Sequence, residues 1–274
     1  MITIEIDPVA FSIGPFEVTW YGIMVALAIV SIIIVSSREA KRVGISEDHI
    51  YSLGFWAVIG GVIGSRLIHV IDKWDYYMAH PGQIIGFEGL AVYGAVIGIA
   101  LAIFIYTWVK KLSFWQLGDI IAPGAILGQA VGRIGCILNG CCYGLPTSLP
   151  CAVVYTHPSS YARLGIPVHP TQIYHLLWNL IAFAIIWHLR TRVKPQGSLF
   201  LIYLALYAAG DLVIRFFREG DPSIFGMQQA QLIGIAILAV IVPWLVIRTW
   251  RARVEIPAPE PTSEINQSEQ NQGD

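Results

Sequence analysis

The sequence predicts an all-α integral membrane protein with about seven transmembrane helices, an N-terminus outside the cell and a C-terminus in the cytoplasm. Of the 274 residues, 55% are hydrophobic and only 13% are charged, whereas soluble domains carry about a quarter charged residues. Apolar runs of membrane-spanning length recur along the chain, and the basic residues are segregated between alternate connections. All three observations indicate a chain whose main solvent is lipid.

The apolar runs define the predicted helices. A spanning helix needs about 20 mainly apolar residues, and too little chain remains between the runs for a separate soluble domain. We therefore predict one membrane domain over residues 1–254. The seven runs cover approximately residues 15–37, 51–71, 86–108, 115–134, 172–189, 198–218 and 228–250.

The basic residues set the predicted orientation. Eleven of the 17 Lys and Arg residues lie on one side, and the opposite connections hold only Lys73 and Arg163. Lys and Arg are enriched in cytoplasmic connections, so the basic side is predicted to be cytoplasmic. A net charge of −1 gives no basic face for a nucleic acid. The eleven residues are Arg38, Lys41, Arg42, Lys110, Lys111, Arg190, Arg192, Lys194, Arg248, Arg251 and Arg253.

Residues 255–274 are predicted to be a disordered cytoplasmic tail, because they are rich in Pro, Glu, Gln and Ser and hold too little apolar surface to offset the entropy of ordering. Deleting residues 255–274 is therefore expected to leave the activity unchanged. Assaying the full-length and truncated proteins side by side in one detergent checks this. A large loss of activity would mean that the tail is ordered or docked.

Glycines recur at four-residue spacing in the second, third and fourth runs. Such stripes let helix backbones approach closely in a bilayer, so these runs are predicted to form a tight core. The glycines concerned are Gly60, Gly64, Gly94, Gly98, Gly124, Gly128 and Gly132.

The connection 135–171 is too rich in Gly, Pro and Asn to be one helix. Irregular backbone near membrane depth is tolerated only inside protein or beside a wet cavity, so this connection is predicted to cover a site at the outer leaflet. Cys136, Cys141, Cys142 and Cys151 are interpreted as small packed residues. A disulfide is an alternative, and a metal site is disfavoured because the paired C-x2-C spacing is missing.

Ionisable residues inside the predicted spans are candidates for function because they are expensive in lipid. Arginines outnumber acids there, so an anion is the expected partner, and the planar guanidinium matches phosphate oxygens. The set is Arg66, Arg133, Arg215 and Arg218 against Glu88, Asp119 and Asp211.

Two groups of these residues stand out. Tyr207, Asp211, Arg215 and Arg218 recur at helical spacing and are predicted to face an interior cavity. Alternatively, Asp211 and Arg215 satisfy each other and only order the helices. Arg133 has no acid within one helical turn, so it is the better candidate for contacting a ligand.

Six motifs give the chain a resemblance to a known family. In order and spacing they resemble the bacterial prolipoprotein diacylglyceryl transferases over approximately residues 14–234. They are WYGIM (20–24), GSRLIHVI (64–71), EGLAVYGAVIG (88–98), GRIGCILNGCCYG (132–144), HPTQIYH (169–175) and FFREGD (216–221).

The resemblance implies transfer of the diacylglyceryl group of phosphatidylglycerol to the lipobox cysteine of a prolipoprotein at the bacterial inner membrane, without metal or organic cofactor. Arg133 is implied to be the essential arginine, and Arg215 and Arg218 are the candidates for a second one. The other implied site residues are Tyr21, Tyr93, Asn139, Gly144, His169, Gln172, Tyr207 and Asp211.

The acceptor thiol must lose its proton before it attacks. Tyr93 is a poor base at neutral pH and is expected to orient substrate by hydrogen bonding. His69, His169 and His175 are candidate bases, although each also fits an ordinary interfacial histidine.

The chain departs from the family pattern at several positions. Cys136 and Cys141 stand where the family has Asn and Glu, His175 replaces a Glu, and Asp211 with Arg215 reverses an Arg–Glu pair. These departures leave two alternatives open: a related head-group transferase with another acceptor, and a non-catalytic lipid transporter. The transporter is the weaker alternative, because transporters often contain repeats and the glycine pattern of the fourth run does not recur.

Overall fold

The computed structural model describes residues 1–84, 91–220 and 226–254, with side chains except those of residues 92, 93 and 252–254. It is mainly helical, which confirms the predicted class. In the described ranges six helices are long and apolar enough to cross a membrane, and a shorter apolar helix covers Gly94–Val109. The helices are α1 Trp20–Arg42, α2 Glu47–Asp72, α3 Trp74–Ala79, α4 Val92–Val109, α5 Phe114–Asn139, α6 Thr171–Leu189, α7 Ser198–Ile214 and α8 Gln229–Val254.

Hydroxyl side chains begin three of the long helices. The oxygens of Thr19, Ser46 and Ser113 accept hydrogen bonds from backbone N–H groups in the first turns of α1, α2 and α5, at 3.2, 3.2 and 3.4 Å. An N-cap of this kind satisfies one of the backbone donors that a helix start leaves unpaired.

Helix α5 is the centre of the bundle, because it packs against α1, α6 and α7. A Cβ on Gly124 or Gly128 would overlap Ile32 of α1, so α1 and α5 pack with their backbones close together. The prediction that the second, third and fourth runs form one core is therefore wrong for the fourth run. Its glycine stripe packs against α1. A stripe of small residues predicts close approach of two helices but does not identify the partner helix.

The prediction is confirmed for the second and third runs. A Cβ on Gly64 would overlap the carbonyl oxygen of Gly94, and one on Gly98 would overlap the carbonyl oxygen of Gly60. Helices α2 and α4 thus pack as a glycine-mediated pair.

Two small sheets lie outside the helices. β1 (Ile2–Ile4) pairs in parallel with β4 (Val153–Tyr155), and β2 (Val9–Ile13) forms a hairpin with β3 (Phe16–Thr19). None of these four strands was predicted from the sequence. The β1–β4 pair ties the first residues to the connection after α5, and Val153 and Tyr155 are buried with Ala162 and Val168 in a small core.

Asp119 of α5 is a structural residue of this bundle. Its two carboxylate oxygens accept hydrogen bonds from the backbone N–H groups of Gly197 and Phe200, at 2.5 and 2.8 Å, at the start of α7. The carboxylate therefore supplies the cap that Gly197, the N-cap residue of α7, lacks in its own side chain.

Asp119→Ala is expected to destabilise the protein by about 1–2 kcal/mol, since two N–H groups lose their charged acceptor. Thermal unfolding in detergent measures the loss. Asp119→Asn is the matched control. It keeps one acceptor oxygen, so its melting temperature should lie between those of the wild-type protein and Asp119→Ala. An unchanged melting temperature in Asp119→Ala would contradict the capping role.

Candidate active site

The signature around Arg133 ends α5 in a turn that reverses the chain. Gly140 has φ +73° and donates its N–H to the carbonyl of Ile137 at 3.3 Å, and Cys141 donates its N–H to the carbonyl of Cys136 at 3.2 Å. This pair of bonds is the Schellman arrangement, which places the residue after the glycine over the last helical turn. Cys141 is thereby brought back onto Cys136.

The adjacent residues complete a cluster of three thiols. Cys142 has φ +62°, a left-handed conformation that is uncommon outside glycine. The sulfur atoms of Cys136, Cys141 and Cys142 all lie within 4.8 Å of one another. Hydrogen bonds from the thiols of Cys136 and Cys141, followed by the charges of Arg218 and Arg133, lower the pKa of the Cys142 thiol.

The HPTQ motif holds this cysteine turn in place. At the start of α6, the hydroxyl of Thr171 donates to the carbonyl of Cys142 at 2.7 Å, and the amide of Gln172 donates to the carbonyl of Cys141 at 2.8 Å. Gln172 also donates to the hydroxyl of Tyr155 at 3.2 Å and is 1% exposed. The expected substrate-binding residue Gln172 is thus engaged in positioning the turn.

Gly144 joins the cysteine turn to the end of α7. Its N–H donates to the carbonyl of His169 at 2.9 Å, and it forms an antiparallel bridge with Arg218. A Cβ at this position would overlap the carbonyl oxygen of Phe217 and the side chain of His169. Glycine is therefore required for the backbones to meet, which brings Arg218 to the signature.

Two arginines at this junction lack an anionic partner among the residues that the structure describes. Within residues 1–84, 91–220 and 226–254, the side chains of Arg133 and Arg218 make no hydrogen bond or ion pair. The charges of Arg133, Arg215 and Arg218 all act on the side chains of His175 and Tyr207. The structure thus gathers Arg133 of α5 and the two arginines that follow α7 around one interior site.

Arg215 differs from them because it is paired. Its Nε donates to Oδ2 of Asp211 at 2.6 Å, and it also donates to the amide oxygen of Gln228 at 3.3 Å. The other Asp211 oxygen faces Nε2 of His175 at 3.7 Å, and the His175 side chain is 2% exposed. Both of these facing atoms lack a hydrogen-bond partner in the described chain, so Asp211 and His175 form a buried polar pair beside the arginines.

The remaining predicted residues are placed as follows. Tyr21 of α1 lies beside Gly135, and its side chain is within electrostatic range of Arg133 and of the three clustered cysteines. Asn139 ends α5, and its side chain interacts with the Cys141 thiol. His169 is hydrogen-bonded to Tyr174 at 3.2 Å at the rim.

Some predictions fall where the structure gives no side chain. The Tyr93 side chain and all of Glu88 lie outside the described residues.

Two candidates on α2 are engaged at its C-terminal end. Arg66 donates to the carbonyls of Gln83 and Ile84. His69 of α2 is in edge-to-face contact with Tyr77 of α3.

An apolar cavity of about 520 Å³ opens between α1, α2, α4 and α5. Ile32, Val62, Ile99 and Ala125 contribute to its wall from these four helices. The glycine-mediated α2–α4 pair forms one side and the α1–α5 pair the other, so the cavity is a crevice between two close-packed helix pairs.

Sequence reasoning missed the thiol cluster, the His175–Asp211 pair and the role of Gln228. The cluster had a signal in the sequence, since a helix-ending glycine at 140 places residues 136 and 141 together. The pairing of His175 with Asp211 joins α6 to α7 and has no signal in residue spacing.

The fold and site together define a polytopic membrane protein with an arginine-rich interior site built on a cysteine turn. The sequence model of the family described as prolipoprotein diacylglyceryl transferase matches residues 8–247. The chain belongs to this family.

Relatives named phosphatidylglycerol–prolipoprotein diacylglyceryl transferase are similar to most of the chain. The relative from Dehalococcoides mccartyi is 42% identical over 249 residues, covering 90% of this chain and 96% of the relative. The Nostoc relative is 35% identical over 271 residues, covering 94% and 95%. The Clostridium tetani relative is 36% identical over 218 residues, covering 78% and 86%.

Proposed function

We propose that this protein transfers the diacylglyceryl group of phosphatidylglycerol to the thiol of the lipobox cysteine of a prolipoprotein, with release of glycerol phosphate. The observation that carries the proposal is the convergence of Arg133 and Arg218 on one site without a protein anion in the described chain. The substrate phosphate supplies that anion.

The arginines support this chemistry electrostatically. When the carbon–oxygen bond breaks, the leaving phosphate gains negative charge, and preplaced donors stabilise the transition state more than the ground state. Arg133 and Arg218 are the phosphate-binding residues, with Tyr207 beside them. Arg215 is already neutralised by Asp211 at 2.6 Å, so it positions the end of α7 and the site.

The strand pair supports a count of seven crossings. β1 and β4 are hydrogen-bonded, so Ile4 and Val153 lie on the same side of the membrane. The chain between them must therefore cross an even number of times. Helices α1, α2 and α5 alone give three crossings, so α4 spans as well, and α6, α7 and α8 complete seven.

The basic residues support an outer N-terminus and a cytoplasmic C-terminus. Near the basic ends of α1 and α6, the buried Glu39 pairs with Arg42 and Arg190 at 2.7 and 2.9 Å. The arginine site lies towards the opposite end, under the 135–171 connection. We place the protein in the bacterial inner membrane, with its site at the outer leaflet.

The apolar crevice supports a substrate with acyl chains. A chain of methylene groups gains about 0.8 kcal/mol per buried CH₂ relative to water. Its wall, made by side chains such as Ile32 and Ile99, offers little that is polar. The diacyl part of phosphatidylglycerol lies in this crevice, and its head group lies at the arginines.

The test is transfer by purified protein from phosphatidylglycerol labelled in its diacylglyceryl part to a lipobox peptide. We expect labelled peptide and glycerol phosphate in equal amounts, loss of both in Arg133→Ala, and no product with a Cys→Ser peptide. Arg192→Ala, at an exposed arginine, is the matched control and keeps activity. Release of glycerol phosphate without labelled peptide would indicate another acceptor. If folded protein forms neither product, the proposal that it is an enzyme is wrong.

A further inference from the structure

The proposed transfer needs a deprotonated acceptor. A thiol with an ordinary pKa of about 8.5 is mostly protonated at neutral pH, and the thiolate is the nucleophile. A desolvated site disfavours the charged thiolate further. The cationic Arg133 and Arg218 favour the thiolate once it forms but cannot remove the proton.

The candidate proton acceptors that the structure describes at the site are already engaged. The Asp211 carboxylate is paired with Arg215 at 2.6 Å, and the buried His175 lies among the charges of three arginines. At the rim, Nδ1 of His169 is hydrogen-bonded to the Tyr174 hydroxyl at 3.2 Å. What the described part of the site offers instead is a set of soft ligands, the three sulfur atoms within 4.8 Å of one another.

The geometry of these sulfur atoms suits a metal ion. Zinc binds thiolates at about 2.3 Å in a tetrahedron, which puts its sulfur ligands about 3.8 Å apart. The observed separations, all within 4.8 Å, are reached from that arrangement by small side-chain rotations. The Schellman turn fixes Cys141 over Cys136. Hydrogen bonds from Gln172 and Thr171 to the carbonyls of Cys141 and Cys142 hold the backbone of both residues in place.

The ligand count suits a catalytic ion. Structural zinc sites are closed by four protein ligands, whereas catalytic sites have three and keep one position open. The fourth cysteine is not part of the cluster, because the exposed Cys151 lies 3.9 Å from the hydroxyl of Tyr174. Two of the three ligands, Cys136 and Cys141, are the positions at which the chain departs from the family signature.

Building on the proposed function, we propose that Cys136, Cys141 and Cys142 bind a zinc ion as thiolates, and that the open fourth position binds the acceptor cysteine of the prolipoprotein. A thiol that coordinates zinc is deprotonated outright, so the ion replaces a general base. The positive charges of Arg133 and Arg218, which act on Cys142, offset the charge of the thiolates and hold the donor phosphate nearby.

The step balances without a redox partner. The acceptor thiol gives its proton to water as its sulfur binds zinc. A sulfur lone pair then attacks the glyceryl carbon, the carbon–sulfur bond forms, and the carbon–oxygen bond to phosphate breaks with its electron pair on oxygen. Glycerol phosphate leaves with one more negative charge, and the neutral thioether, a weaker ligand, leaves the ion.

The first test measures the metal alone. Protein purified without chelators and then incubated with zinc chloride and desalted should hold about one zinc ion per chain, measured by mass spectrometry of the metal. Cys136→Ser, Cys141→Ser and Cys142→Ser should lose most of it, and Cys151→Ser should keep it. Absence of zinc from the folded wild-type protein, or its full retention in Cys142→Ser, would overturn the site.

A second measurement on the wild-type protein does not depend on how the variants fold. Zinc should protect Cys141 and Cys142 from maleimide while the exposed Cys151 reacts, and a chelator should restore their labelling. Equal labelling of Cys141 and Cys142 with and without zinc would also overturn the site.

The acceptor's role is read from cobalt(II)-substituted protein. Adding a lipobox peptide should change the cobalt–thiolate absorption, and the Cys→Ser peptide should not. Equal spectra with both peptides would refute acceptor binding at the metal. If thiol-dependent transfer persists in metal-free protein, the proposed role of the metal is wrong and the proposed function stands. If the protein binds zinc but catalyses no transfer, the proposed function is wrong and the metal site stands.

Discussion

Arg133→Lys is expected to lower the rate of diacylglyceryl transfer by about 100- to 1,000-fold while the protein folds normally. Lysine keeps the charge but is a single compact donor group, whereas the guanidinium binds two phosphate oxygens at once. Folding should be spared because Arg133 makes no hydrogen bond or ion pair within the described residues. The rate with labelled phosphatidylglycerol and the melting temperature in detergent measure the two effects separately.

The matched control for this variant is Arg192→Lys, an identical change at an exposed position. It should retain the wild-type rate. Turnover of Arg133→Lys at the wild-type level would show that a point charge suffices and would refute bidentate binding of the phosphate by Arg133. A melting temperature far below that of the control would show that Arg133 also supports the fold.

Asp211→Leu is expected to cost about 3–5 kcal/mol of stability, because removing one partner of a buried ion pair leaves the other charge unpaired. The Asp211 and Arg215 side chains are only 12% and 20% exposed. Their separation of 2.6 Å leaves no room for water between them. Thermal unfolding in detergent measures the loss. Glu47→Gln, in the exposed pair with Lys41, is the control and should barely change the melting temperature.

The double variant Asp211→Leu, Arg215→Met separates structure from chemistry. Replacing a buried pair by apolar side chains of similar size is often nearly neutral, so most of the stability should return. Because Arg215 is already neutralised by Asp211, this variant should keep measurable transfer, and Arg218→Met should not. A folded double variant without activity would instead make Arg215 the second phosphate ligand.

The membrane architecture could be predicted because span length and charge bias are properties of the chain in one dimension. Six predicted runs coincide with helices of spanning length, and the third coincides with α4 where it is described. Arg133 could be singled out for a similar reason, since the missing acid within one turn is visible in the sequence. Because no acid lies within one turn of Arg133, its side chain is expected to have no ion-pair partner on α5, and it has none among the described residues.

Features that depend on three-dimensional contacts were out of reach. The glycines of α5 predict close packing, but only the fold shows that α1 is the neighbour. The thiol cluster depends on Gly140 turning left-handed and on Cys142 doing the same. The alternation of Ile2, Thr3 and Ile4 is a short strand signal, but it does not identify Val153 as the partner of Ile2.

The parallel pairing of β1 with β4 also imposes an order on biosynthesis. β1 leaves the ribosome before α1, α2, α4 and α5 have been made, and its partner follows only after α5. The small core of Val153, Tyr155, Ala162 and Val168 therefore assembles late, after the arginine of the signature helix is already in the bilayer.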